Sequence, residues 1–255
     1  KKSSYGKLNI QGTLAPTFTS DYTFSQLNAQ EHPDRKIVDE FEQSSAYNEL
    51  RNEYDTNGDG YIDSVAFIYA EPIQVTSSDM RWWAFVYTND SMPISGKPAV
   101  VNQYMWASYY FCKIQTVNNP HGGKYDLDAH TYIHESGHLL GLDDYYSYVD
   151  NNTYDPSGGQ EMHSQNIGDE NIYSKLALNW IHPYYIKTTG SVTTTLYSTS
   201  YSGEYNAIIL NDEWNQSPMG EYIIIEFYSP TVLNQKDSES SYAVNARMFQ
   251  SSGFR

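Results

Sequence analysis

The sequence predicts an α+β fold. A mixed domain covers residues 1–186 and a β-rich portion, native or truncated at its end, covers 187–255. Three observations carry this reading. Apolar residues recur at helical spacing in "DRKIVDEFEQSSAYNELRNEYD", at Ile37, Phe41, Tyr47, Leu50 and Tyr54. Short β-branched and aromatic runs bounded by turn residues interleave with such helical stretches before residue 186. Beyond about Lys187 the text changes to Thr/Ser/Tyr-rich alternation and "EYIIIEFY", a pattern of strands alone.

Taken in order, "YGKLNIQGTL" (5–14) alternates and predicts a strand. The helical stretch follows and ends in a polar, Gly-rich turn. "SVAFIYA", "WWAFVYT" and "VVNQYMWASYYF" predict three further strands. Their aromatics Trp82, Trp83, Trp106 and Tyr109 are expected mostly in the core. A Gly-rich loop, "NNPHGGKYD", leads into a helix within "HTYIHESGHLLGLDDYY" (130–146). Asp126 or Asp128 can cap it, and Ile133, Gly137 and Leu140 fall at i, i+4, i+7 as its expected buried face. A turn-rich stretch runs to about Glu170, and "NIYSKLALNWI" then reads as a second helix.

Composition narrows the function classes. The formal charge of −16 over 255 residues leaves no basic stripe for nucleic acid. It fits a secreted protein with carboxylates to offer hard cations. No apolar run is long enough to span a bilayer. The N-terminus shows no leader pattern, so any signal segment and propeptide are expected to have been removed before this chain. The single cysteine, Cys112, excludes an internal disulfide and a cysteine-based zinc site, and its apolar context predicts an inert thiol. Nothing calls for an oligomer, so a monomer is expected.

The chemistry concentrates in "HTYIHESGHLLGLDDYY". His134 and His138 are one helical turn apart, so both imidazoles can reach a single ion. Glu135 completes His-Glu-x-x-His and stands where it can take a proton from water activated by that ion. A chance match in a chain this poor in histidine is on the order of 1%. Gly141 can adopt φ > 0 and end the helix sharply, turning the following residues back toward the ion. Asp144 and its rival Asp143 are then the candidates for a third ligand, with a fourth position left for water. Asp144 is favoured because histidine at that place is the metzincin pattern. His130 lies a turn too far back for the same ion and reads as a supporting or core residue.

Together with "GGQEMHSQNIGDENIYSKLALNWIHP" and "YDTNGDGYIDSVAFIYA", this stretch resembles the immune-inhibitor-A-like secreted bacterial metallopeptidases, a metzincin-related clan. "VVNQYMWASYYF" and "GEYIIIEFYSPTVLNQKD" look similar to the same group, so the resemblance covers most of the chain. It implies a metzincin-like catalytic domain, with a twisted, mostly parallel sheet, a zinc helix and a Met-turn. It implies a secreted zinc endopeptidase with His134, His138 and Asp144 as ligands and Glu135 as general base. Met162 is the Met-turn candidate. Here the chain departs from the family: Glu161-Met162-His163-Ser164 stands where relatives tend to have an Asp-Met-Met-Asp-like string. Ser164 also stands where some metzincins have a helper tyrosine, which leaves Tyr146 and Tyr173 as alternatives.

A second ion candidate is "DTNGDGYID". Asp55, Asn57, Asp59, the Tyr61 carbonyl and Asp63 recur every second residue, with Gly60 after the third, as a calcium loop requires. Ala66 at the twelfth position rules out an EF-hand, and an Asx-rich turn without metal is the competing reading. The expected function is hydrolysis of protein or peptide substrates by water activated at zinc. The alternative is a metal-stabilised binding or adhesin module, against which the intact Glu135 speaks. No motif for holding a chain terminus suggests an exopeptidase.

Overall fold

The computed structural model describes residues 1–71, 74–76, 79–113, 129–146, 161–165, 168–187, 190–235 and 253–254. Asp126 and Asp128, the two expected caps, lie outside the described residues. The chain gathers into two compact units.

One unit takes the described residues of 12–113 and 129–139. It opens with α1 (Phe24–Asn28) and α2 (Pro33–Gln43). Thr23 and Gln26 cap α1 reciprocally, each side chain bonding the other's backbone N–H. Pro33 starts α2, where its missing N–H is no loss. The long helix expected over 34–55 is broken at Ser44, whose backbone is extended. A 3₁₀ turn (Ser45–Tyr47) and α3 (Asn48–Glu53) continue it. The apolar periodicity still marks the right side chains, because Tyr47 and Leu50 pack with Ile37 and Phe41 on either side of the break.

The strands of this unit are β1 (Tyr61–Ile62), β2 (Val65–Tyr69), β3 (Gln74–Thr76), β4 (Asp79–Trp82), β5 (Phe85–Thr88), β6 (Val100–Val101) and β7 (Gln103–Ser108). β2, β7 and β5 form a three-stranded sheet with β7 in the middle. β7 is parallel to β2 and antiparallel to β5. Short pairs β1–β6 (parallel) and β3–β4 (antiparallel) complete the set. β7 is buried on both faces, and its alternation divides two cores. Tyr104 and Trp106 face a cluster with Ile37, Val38 and Phe41 of α2. Met105 and Ala107 face the opposite cluster, with Ala84 and Phe111. Trp82 and Trp106 are core residues as expected, whereas Trp83 is exposed and Tyr109 half-buried in a 3₁₀ turn (Tyr109–Lys113).

α4 (His130–Leu139) packs against β7 and β5, with Tyr132 and Leu139 closing the second cluster. The Tyr132 hydroxyl donates to the Ser108 carbonyl at 2.7 Å and fixes the helix on the end of β7. Cys112 is half-buried nearby, its Sγ 2.9 Å from the Tyr109 carbonyl oxygen.

The other unit takes the described residues of 1–11 and 140–254. It contains α5 (Met162–Gln165), α6 (Ile172–Ala177), β8 (His182–Ile186), β9 (Glu204–Leu210), β10 (Ile223–Tyr228) and β11 (Gly253–Phe254). The sheet order is β8-β9-β10-β11, with β8 parallel to β9 and the other pairs antiparallel. Ile172 and Leu176 of α6 pack with Ile181, Ala207 and Ile209. The Asn171 side chain caps α6 by accepting from the Ser174 N–H at 2.9 Å. The N-terminal residues turn back on themselves and place the Tyr5 hydroxyl 2.6 Å from the Thr199 carbonyl oxygen.

The α+β class is what the elements show. Two expectations are corrected. Residues 5–14 form no strand: their alternation finds no neighbour to pair with, and Ile10 and Leu14 stay exposed. The described sheets are mixed rather than mostly parallel, because β5 and the β9–β10–β11 run enter antiparallel. No described helix is long and apolar enough to cross a membrane.

Candidate metal centre

Local chemistry sets the orientation of α4. Of its expected apolar face, Gly137 is buried but Ile133 is 50% exposed and Leu140 37%. Thr131, His134 and Glu135 are buried with Gly137. A helix that buries ionisable side chains in preference to isoleucine and leucine is held there by what those side chains do. His134 and His138 bring their Nε2 atoms to 3.0 Å, with ring planes 87° apart. Donors on a tetrahedral zinc with bonds of about 2.0–2.1 Å are separated by about 3.3–3.4 Å, so the pair stands close to the spacing one ion requires. Glu135, 4% exposed, lies beside them on the same helix.

Gly141 has φ +92° and turns the chain out of α4, as its place after the helix demands. Leu142 beyond it is buried, Asp143 is exposed and Asp144 is half-buried. The next residue, Tyr145, donates its N–H to the His163 carbonyl at 3.0 Å. That bond ties the segment after the glycine to the one-turn helix α5 and sets His163 alongside Asp144. His134 and His138 in one unit, and Asp144 and His163 in the other, each offer a ligand atom that could hold a metal ion. Asp143 and His130 are not among these donors.

His163 was not legible as a ligand in the sequence. Its only signal was its place directly after Met162. His163 is fully buried, with Nε2 3.6 Å from Oε1 of Glu170. Glu161, also buried, accepts from the Asn171 amide at 3.2 Å, and Met162 is buried at the start of α5. Neither tyrosine considered as a helper is buried here. Tyr146 is exposed, and the Tyr173 hydroxyl stands 3.6 Å from Met219 Sδ. Tyr145 is half-buried, its hydroxyl 2.8 Å from Ser174 Oγ, and burial pushes it well above the ordinary tyrosine value.

The donors are three imidazoles and one carboxylate. The 55–63 loop is built differently. Asp59 Oδ1 accepts from the Tyr61 N–H at 2.8 Å and Asn57 Oδ1 from the Asp59 N–H at 3.0 Å. Asp63 accepts from the Thr56 hydroxyl at 2.7 Å, and Asp55 Oδ2 from the Gly60 N–H at 3.0 Å. These are Asx-type turn bonds, and only Asp55 Oδ1 is buried without a hydrogen-bond partner.

Compared with family models, with curated proteins and with solved structures, the chain matches none.

Proposed function

We propose that this chain is a zinc-dependent endopeptidase, secreted and acting on protein or peptide substrates, with Glu135 as general base and Met162 in a Met-turn. The observation that carries the reading is the burial of Glu135 on the helix that presents the His134–His138 donor pair. His134, His138, Asp144 and His163 would hold the ion. Bound zinc supplies a Lewis acid that polarises a carbonyl oxygen and acidifies water. The chain's own residues do the rest. The helix fixes His134 and His138 on one rigid element, so little side-chain freedom is lost when they bind. The Glu135 carboxylate, shielded from bulk water, is the group to accept a proton from the attacking water and return it to the leaving amine.

A second reading is favoured by one observation. Four protein donors rather than three is the composition of a structural zinc site, so a metal-stabilised binding module stands as the alternative. Digestion of casein by the purified protein, with and without a zinc chelator, separates the two. Chelator-sensitive cleavage supports the peptidase. Full zinc content with no cleavage of any protein substrate overturns it.

The 55–63 loop is proposed as a structural calcium site at the junction of α3 and β1. The support is its alternating oxygens and the open acceptor on Asp55.

A further inference from the structure

We propose that a cavity beside the C-terminal end of α2 binds a free α-amino acid with an apolar side chain, its carboxylate held by Arg51 and Lys97 and its ammonium by Asp39. No residue of the candidate metal centre lines this cavity, and the inference does not rest on the zinc reading.

The cavity has a volume of about 340 Å³, at the lower end of the range for small-molecule sites. Its lining comes from one compact unit: the end of α2, α3, and the segment 94–100 that leads into β6. Arg51 of α3 is its buried cation, 4% exposed. Nε donates to the Ala99 carbonyl at 2.6 Å, and Nη1 to the Glu42 carbonyl at 2.5 Å and Asn48 Oδ1 at 3.5 Å. Nη2 donates to the Pro98 carbonyl at 3.3 Å. All of these acceptors are neutral, and they leave one of the guanidinium's five N–H groups, on Nη2, to spare. Burial pushes the guanidinium below its ordinary value, and the charge of Glu42 offsets this only in part.

Among the described residues neither Arg51 nor Lys97 has a carboxylate within ion-pair distance. Bonds to an ionised acceptor are about twice as strong as those to a neutral one. In a chain with 31 acids and 15 lysines and arginines, two cations without a carboxylate on one small cavity call for an anion from outside.

The α2 side of the cavity is acidic. Glu42 is committed, because its carboxylate accepts from the Val101 N–H at 2.7 Å and from the Ser91 hydroxyl at 3.2 Å. Asp39, one turn earlier, is exposed and has no ion-pair partner among the described residues. Ile94, 65% exposed, adds apolar surface together with Pro98 and Val100. Cations, an open carboxylate and an apolar patch around one small space match the three parts of an apolar amino acid. A simple anion would satisfy Arg51 and Lys97 but would be repelled by Asp39.

Isothermal titration of the full chain, with leucine as the probe, tests the assignment. Leucine is expected to bind saturably. Leucinamide, which lacks the carboxylate, and isocaproate, which lacks the ammonium, are each expected to bind about 10-fold more weakly or worse, as the loss of a charge-assisted bond requires. Lys97→Gln and Asp39→Asn change exposed side chains and are each expected to weaken leucine binding by about 2- to 5-fold. The three ligands are compared on the unmutated protein, so the result stands even where a variant misfolds. No saturable binding of leucine overturns the proposal. So does leucinamide or isocaproate binding as tightly as leucine, or leucine affinity unchanged in both variants.

Discussion

Lys175 Nζ lies 2.5 Å from Oδ2 of Asp169, and both side chains are buried. The same ammonium stands 3.2 Å from the Tyr5 hydroxyl and over the Tyr5 ring, and the Asn206 amide donates to that hydroxyl. One buried cation therefore joins the residue before Glu170, the N-terminal turn and strand β9.

Removing it should be costly. Lys175→Ala leaves Asp169 buried and uncompensated, with an expected loss of about 3–5 kcal/mol in urea unfolding. Replacing the pair together by Met and Leu should recover much of that loss. Burial alone would push the Lys175 ammonium down, but the charge of Asp169 and the contacts with Tyr5 outweigh it and raise it above the ordinary value. A raised lysine stabilises fully below its unfolded value of about 10.4 and loses that stabilisation as pH rises through the folded one. The gap between wild type and Lys175→Ala should be flat to about pH 9 and close in stronger alkali.

Glu135→Ala should retain zinc and the far-UV spectrum while losing peptide hydrolysis by about 100-fold or more. Single-turnover cleavage of a fluorogenic peptide library measures it. Near-native cleavage by the variant would remove Glu135 from the role of base.

Asp144 is in the donor group and Asp143 is exposed. Asp144→Ala is therefore expected to lower zinc affinity by more than about 100-fold, and Asp143→Ala by no more than an outer residue would, about 10-fold. Competition against a chromophoric chelator ranks the two. The opposite order would sink the ligand assignment.

Asp59 holds the Tyr61 N–H and receives the Asn57 amide. Its replacement by alanine should lower stability by about 0.5–1.5 kcal/mol even in the absence of calcium. If the loop is a calcium site, millimolar calcium raises the wild-type melting temperature and leaves the variant unmoved. An equal rise in both proteins would place the ion elsewhere.

Much of this was legible in the text and some was not, for physical reasons. The spacing of His134 and His138 and the glycine at 141 are local signals, read from helix geometry and from φ > 0, and the structure shows both features. The break at Ser44 was hidden because apolar periodicity survives it. The buried face of α4 was misjudged for the opposite reason. Hydrophobicity ranks Ile133 and Leu140 above His134 and Glu135, and it takes no account of what buried ionisable groups bind. His163 was out of reach because its place depends on a backbone bond from Tyr145, eighteen residues away along the chain. No periodicity encodes such a contact.

The two-faced burial of β7 makes one strand the ruler for the histidine helix. Tyr104 and Trp106 are locked against α2, and Met105 and Ala107 against the helix that carries His134 and His138. A slip of one residue would exchange large rings for small side chains on both faces at once. Any drift of α4 along the sheet is therefore opposed by the core on the far side of the strand as well. The two imidazoles owe their fixed address to tyrosine and tryptophan rings on the other side of the strand.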